Sequence, residues 1–262
     1  MFKTKDKEQD KTAPEAEKLP PAQWILNELK FFAKLFAFIL AFWTLVWGHF
    51  KIPSESMQPT LEVGDRLYVS KYAYGYSKHS LPLLLHKLPL PEGRIFSRLP
   101  KRGDVVVFRN PRNELVMIKR VIGLPGDQVQ MRNGQLYING ERIARKKVEE
   151  RVYLDHDSKR QIRVDTYEQI LPESDKTFLI YEQSDSRDLD NTEVFTVPAG
   201  HIFFMGDGRD NSTDSRAGLI GPGMVPVENL MGRADRIMFS FKRCDRDLDF
   251  YCPPKGRIMK KL

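Results

Sequence analysis

The 262-residue sequence is poor in the side chains that most often build metal and thiol chemistry. It has two cysteines, Cys244 and Cys252, which form no CxxC pair, and five scattered histidines, so the usual zinc spacings are missing. No Gly-x-Ser-x-Gly elbow surrounds Ser56, which argues against a histidine-based serine hydrolase there. The acidic run Gly206–Arg216 lacks the glycine and distal glutamate of an EF-hand loop, so it does not read as a calcium site. We expect neither metal nor other cofactor. Lys and Arg total 42 against 35 Asp and Glu, a net charge of +7, yet the basic residues are spread out and no aromatic-basic module accompanies them. Nucleic acid is therefore not an expected partner. No repeat of 20–50 residues is visible either.

One long apolar run is present. From Leu35 to Trp47 there is no charge, and within Phe31–Phe50 the only charged residue is Lys34. Twenty residues at the helical rise span about 30 Å, the thickness of a hydrocarbon core. Lys34 suits one headgroup layer, and Trp43 and Trp47 suit the opposite interface. Six lysines precede the run, which places the N-terminus in the cytoplasm and the rest of the chain outside. Two other readings compete. A cleaved signal peptide would end near Val46-Trp47-Gly48, but bulky aromatics and a long polar tail precede that point. A buried helix of a soluble domain is the less expected reading, because the segment is apolar on every face. The spacing therefore predicts a membrane anchor over 31–50, preceded by a disordered cytoplasmic tail over 1–30, with the phospholipid bilayer as a partner.

Beyond the anchor, short apolar segments alternate with Gly and Pro turns. Strands are predicted at Arg66–Ser70, Val105–Arg109, Leu115–Ile122, Val129–Met131, Leu136–Ile138, His201–Met205 and Ala234–Phe241. Asn133-Gly134 and Asn139-Gly140 between alternating runs signal successive hairpins. Residues 72–100 read as a long ordered loop. Residues 145–195 are so charged that only short strands are expected, around Arg163–Tyr167 and Phe178–Tyr181, in a peripheral insertion. The fold class is mainly β, with antiparallel pairing.

Three segments hold the candidate chemistry. Ile52–Leu61 carries Ser54 and Ser56 between Pro53 and Pro59, which fix the backbone and remove two donors. Lys119 sits on a strand among Met117, Ile118, Val121 and Ile122; at a strand edge it would reach water, but buried it would lose its charge readily. A neutral lysine can take a proton from a serine hydroxyl. Gly206–Arg216 interleaves acids, amides and arginines around Ser212, a composition suited to a paired supporting network. Outside these segments, Cys244 and Cys252 would face an oxidising compartment under the topology above, and a disulfide between them is the expectation, with free thiols as the alternative.

Pro53–Leu61, Arg102–Phe108, Lys119–Asp127 and Gly206–Arg216, in that order after an apolar anchor, resemble the signature segments of bacterial type I signal peptidase, also called leader peptidase. The resemblance implies a serine endopeptidase with a Ser-Lys dyad: Ser56 as nucleophile and Lys119 as general base. It further implies an oxyanion hole from Ser54 and the Ser56 amide, and support from Ser212, Asp214 and Arg216. Phe50, Ile52, Met57, Leu61, Met117 and Ile118 are suited to wall shallow substrate pockets, or are ordinary core, or both. Implied substrates are secretory preproteins with small residues before the cut, met near the protein translocation machinery. The implied location is the bacterial inner membrane, single-pass, with the catalytic domain on the periplasmic side. The expected organisation is an antiparallel β-sheet catalytic core in two parts, 51–127 and 198–262, around an inserted smaller β-rich domain, 128–197, all preceded by a single N-terminal transmembrane helix. Two positions depart from the family pattern: Glu55 where glycine is frequent, and Gly208 where asparagine is usual. The competing reading is a non-enzymatic membrane-anchored binding or assembly domain, which gives no reason for Lys119 among apolar neighbours; a Ser-Lys autoprotease is a further alternative.

Overall fold

A computed structural model describes residues 20–81, 85–89, 91–156, 158–174, 176–240 and 256–262. The chain divides into two compact units, one ending at Ala41 and the other running Phe42–Leu262. Cys244 and Cys252 lie outside the described residues.

Helix α1 runs Pro21–Leu45. Proline suits a first helical position, where its missing N–H is not needed. Large apolar side chains are exposed on several faces of α1, Phe36 at 68% and Phe38 at 67% among them. The helix differs from the expected span at both ends. Residues 21–30, assigned above to a disordered tail, are helical, and the apolar run breaks at Val46 instead of continuing to Phe50. Trp47–Lys51 leave the helix because their backbone groups pair with the chain that follows, an extended ladder that a helix cannot share. Among the described residues no helix is long and apolar enough to cross a membrane. The reason is visible in α1 itself, where every eighteen-residue stretch includes Glu28, Lys30 and Lys34.

The strands, in chain order, are β1 (Trp47–Lys51), β2 (Asp65–Ser70), β3 (Val105–Arg109), β4 (Val116–Gly123), β5 (Gln128–Arg132), β6 (Gln135–Ile138) and β7 (Glu141–Arg142). They continue with β8 (Arg145–Leu154), β9 (Gln161–Ile170), β10 (Thr177–Glu182), β11 (Phe195–Thr196), β12 (His201–Met205), β13 (Val225–Pro226) and β14 (Leu230–Ser240). The main sheet has the order β1-β2-β14-β3-β4-β12-β13, and its neighbours pair antiparallel. Two smaller antiparallel sheets follow, β10-β9-β8 and β11-β5-β6-β7. The molecule is mainly β.

The tight turns follow the sequence. Asn133 and Asn139 take positive φ, 47° and 54°, and each precedes a glycine also at positive φ, the combination a two-residue hairpin needs. The loop 72–100 is pinned by Arg94, whose guanidinium donates to the carbonyls of Gly75, Glu228 and Leu230. The charged stretch after 145 departs from expectation. It forms two ten-residue strands, β8 and β9, because its charges line exposed faces and pair across the ladder, as Lys147 does with Asp165 at 2.8 Å. Nor is the stretch wholly peripheral: Leu171, Phe178 and Ile180 are buried with Ile122, Phe203 and Met205.

Candidate active site

The loop Ile52–Leu61 joins β1 to β2 and is closed at its base by two backbone bonds, Ile52 N–H to Asp65 O and Gly64 N–H to Ile52 O, both 2.9 Å. Leu61, Met57 and Ile52 are buried beneath it, which leaves the two serines at the top. Ser56 is buried; Ser54 is exposed, with its Oγ 3.3 Å from Ser56 Oγ.

Lys119 lies on β4, paired with Val106 of β3, and β4 sits between β3 and β12. A lysine on an interior strand cannot reach water from the sheet edge, and Lys119 is only 4% exposed. Its Nζ donates to Ser56 Oγ at 2.5 Å. Burial lowers its pKa from 10.5 to about 8, and Asp214 and Asp207 limit the drop by favouring the ammonium. The hydroxyl and the amine named from sequence, 63 residues apart, thus meet in a shared hydrogen bond.

Gly206–Arg216 backs this pair. Arg216 and Asp214 form a fully buried two-pronged ion pair, Nε to Oδ1 and Nη2 to Oδ2, each 2.9 Å. Burial alone would raise the Asp214 carboxyl, but Arg216 and the Gly206 N–H at 2.9 Å hold it below its ordinary value. Gly206 permits the close approach: a Cβ there would fall 2.3 Å from Ser56 O and 2.2 Å from Ser212 Oγ. Ser212 is buried, and its Oγ forms no hydrogen bond with Lys119. It lies near enough to Asp214 to favour that carboxylate.

The apolar residues assigned to pocket walls separate. Ile52, Met57 and Leu61 are core, with Phe50 and Ile118 partly exposed against them, while Met117 packs with the neighbouring cluster around Phe108 and Phe204.

Sequence reasoning missed a second network beside the pair. Arg120 grips Asp207 with two bonds of 2.7 and 2.6 Å and stacks over Phe178 at 4.0 Å. Thr60 Oγ1 donates to Asp207 Oδ2 at 2.5 Å, so this network also ties down the serine loop. The signal was available: Arg120 alternates with Lys119 on β4, and a buried arginine requires a carboxylate. Glu182, Asp190 and Asp210 bring carboxylate oxygens within 4.8 Å of one another, and Arg145 pairs with Glu182 at 3.0 Å. Burial pushes the Glu182 carboxyl up to about 7.

A family model described as "Signal peptidase, peptidase S26" matches residues 24–239. Signal peptidase I of Rickettsia typhi is 39% identical over 225 residues, 83% of this chain and 81% of that protein. Signal peptidase I of Rickettsia canadensis is 40% identical over 224 residues, 82% of this chain and 80% of that protein. A crystal structure of a signal peptidase I from Enterococcus faecalis is 29% identical and covers 52% of this chain and 97% of its own, with a TM-score of 0.31.

Proposed function

The chain belongs to the signal peptidase S26 family, and from that premise we propose that it removes signal peptides from secreted preproteins with Ser56 as nucleophile and Lys119 as general base. The observation that carries this reading is a buried amine of lowered pKa 2.5 Å from a serine hydroxyl. With an unperturbed pKa, about one lysine in a thousand is neutral near pH 7.4; at about 8 roughly a fifth is neutral.

In the proposed reaction Ser56 Oγ attacks the scissile carbonyl while its proton passes to Lys119 Nζ. Collapse of the tetrahedral intermediate breaks the C–N bond, and Lys119 returns the proton to the leaving amine. A water, deprotonated by the same amine, then hydrolyses the ester on Ser56. The Ser54 hydroxyl and the Ser56 N–H are the donors we assign to the oxyanion, supported by the 3.3 Å spacing of the two serine oxygens. Asp214 and Arg216 hold the loop behind the pair, with Ser212 packed against Gly206 and not bonded to the amine.

The membrane-anchored location is part of the same proposal. It is supported by the uncharged run Leu35–Trp47 and by the many exposed apolar side chains of α1. An N-terminus in the cytoplasm and residues 51–262 on the outer side, near the translocation machinery, follow from the lysines before the run. We also propose 128–197 as a domain inserted between core segments 51–127 and 198–262, a reading supported by the two small sheets that β5–β11 build.

The test is cleavage of a preprotein carrying small residues before the cut, by wild type, Ser56→Ala and Lys119→Ala side by side. The proposal expects cleavage by wild type alone. Cleavage by either variant at a rate near that of wild type removes the dyad.

A further inference from the structure

Glu55 adjoins the nucleophile in sequence, but its carboxylate is occupied elsewhere. Oε1 accepts the backbone N–H of His156 at 2.6 Å, and Oε2 accepts Asn211 Nδ2 at 3.3 Å. His156 lies in the turn between β8 and β9, and Asn211 closes a 3-10 turn, Arg209–Asn211, in the supporting loop. One side chain therefore joins three segments separated by 101 and 156 positions in the chain. Glu55 is only 6% exposed, and a carboxylate so buried persists only where donors meet it.

The same dipeptide is gripped from its main chain. Gly208 N–H donates to Ser56 O at 3.1 Å, and a Cβ on Gly208 would stand 3.1 Å from Glu55 O. The two departures from the family pattern are thus neighbours: the small residue at 208 lets its backbone reach the serine turn, and the carboxylate at 55 fastens that turn from the other side. The hairpin it reaches is stiffened by the stacked rings of Tyr153 and Tyr181, 6.0 Å apart, and Tyr153 also lies 3.5 Å from Asn211 Nδ2.

We propose that Glu55 is a positioning residue. By fastening the β8–β9 turn and Asn211 to the serine loop it fixes the orientation of Ser56 toward Lys119, so the inserted hairpin is mechanically coupled to the nucleophile. This inference rests on the Ser56–Lys119 reading. Reacting groups held by several weak restraints lose rate steeply when one is released, and a displacement of about 1 Å costs on the order of a hundredfold. Because the Gly208 bond remains, removing Glu55 should lower kcat about 10- to 100-fold with little change in KM.

The experiment measures kcat and KM on a preprotein for the full chain carrying Glu55→Ala, Glu55→Asp, Glu55→Gln, His156→Pro and the double Glu55→Ala/His156→Pro. Glu55→Ala and the shorter Glu55→Asp should both be slow, whereas Glu55→Gln should recover most of kcat because its amide oxygen reaches the same N–H. His156→Pro, which deletes that N–H, should match Glu55→Ala, and the double variant should be no slower than either. Wild-type kcat in Glu55→Ala, or a double variant whose losses multiply, overturns the inference. Hydrogen exchange in a Ser56→Ala background covers a misfolded proline variant: adding Glu55→Ala should speed exchange at the backbone amides of His156 and of position 56, and unchanged exchange at either overturns the coupling. Ser56→Ala run alone separates the two failures. If it still cleaves, the dyad is wrong; if it is dead while Glu55→Ala is fully active, only the positioning role falls.

Discussion

Two buried lysines in this molecule have almost the same exposure and very different partners. Lys119 is 4% exposed and Lys71 is 5% exposed, and burial lowers both pKa values to about 8. Lys119 donates to the hydroxyl of Ser56 at 2.5 Å, whereas Lys71 donates to the backbone carbonyl of Ser80 at 2.7 Å. A carbonyl has no proton to give, so a neutral Lys71 would have nothing to do with its lone pair. Lys119 also has acidic neighbours, Asp214 and Asp207, that limit its shift, and for Lys71 burial is the sole cause. A perturbed pKa marks desolvation; a reactive partner makes it chemistry.

Replacing each lysine in turn should give the largest difference between them. Lys119→Met should lower preprotein cleavage by about 10²–10⁴-fold, the share a general base supplies. Lys119→Arg should be as inactive, since guanidinium holds its proton at working pH. Lys71→Met should leave turnover per folded molecule at the wild-type level. A dead Lys71→Met beside an active Lys119→Met would exchange their roles.

Next in size is the buried pair behind Lys119. Asp214→Ala strands Arg216 in the interior and should destabilise the fold by about 3–5 kcal/mol in denaturant titrations. Because Asp214 favours the ammonium form of Lys119, any activity left should show its alkaline rise at lower pH than wild type. A rise at higher pH would contradict the assigned cause.

A smaller loss is expected at the oxyanion donor. Ser54→Ala should lower kcat by about 10²–10³-fold, as for other single oxyanion donors, with stability unchanged because Ser54 is exposed. A wild-type kcat in Ser54→Ala would remove it from the site.

The least dramatic effect is on stability against pH. The folded Lys119 releases its proton near 8 and the unfolded one near 10.5, so between those values the unfolded chain binds more protons and stability rises with pH. A shift of that size amounts to about 3 kcal/mol. Lys71 should add a rise of the same sign. Lys119→Met and Lys71→Met should each flatten the curve across pH 8–10.5, and below pH 8 each should be relieved of burying an ammonium. A Lys119→Met curve that rises with the wild-type slope across that window would show that Lys119 is not desolvated.

Much of the site was legible because its residues are local exceptions to their surroundings. Lys119 stands among apolar neighbours on a strand, and Ser56 lies between two prolines where regular structure is blocked. The hairpins at Asn133-Gly134 and Asn139-Gly140 were legible because a positive φ at both positions needs those residues. Lys71 was not singled out, because its polar neighbourhood in sequence gives no sign that it is buried and donates to the Ser80 carbonyl. Strand β8 was hidden for a related reason: its charges suit a strand only when β9 supplies the opposite charges. The break at Val46 was hidden too, since Trp47–Lys51 is apolar enough for either a helix or the edge of the sheet, and only pairing with β2 decides.

The most direct test of the Ser56–Lys119 assignment is kcat/KM for preprotein cleavage as a function of pH, since its alkaline rise reports the base in the free enzyme. The account predicts a limb with an apparent pKa of about 8, lost together with activity in Lys119→Met and retained in Lys71→Met. A limb near 10.5, the ordinary lysine value, or a limb near 8 that persists in Lys119→Met, would contradict it.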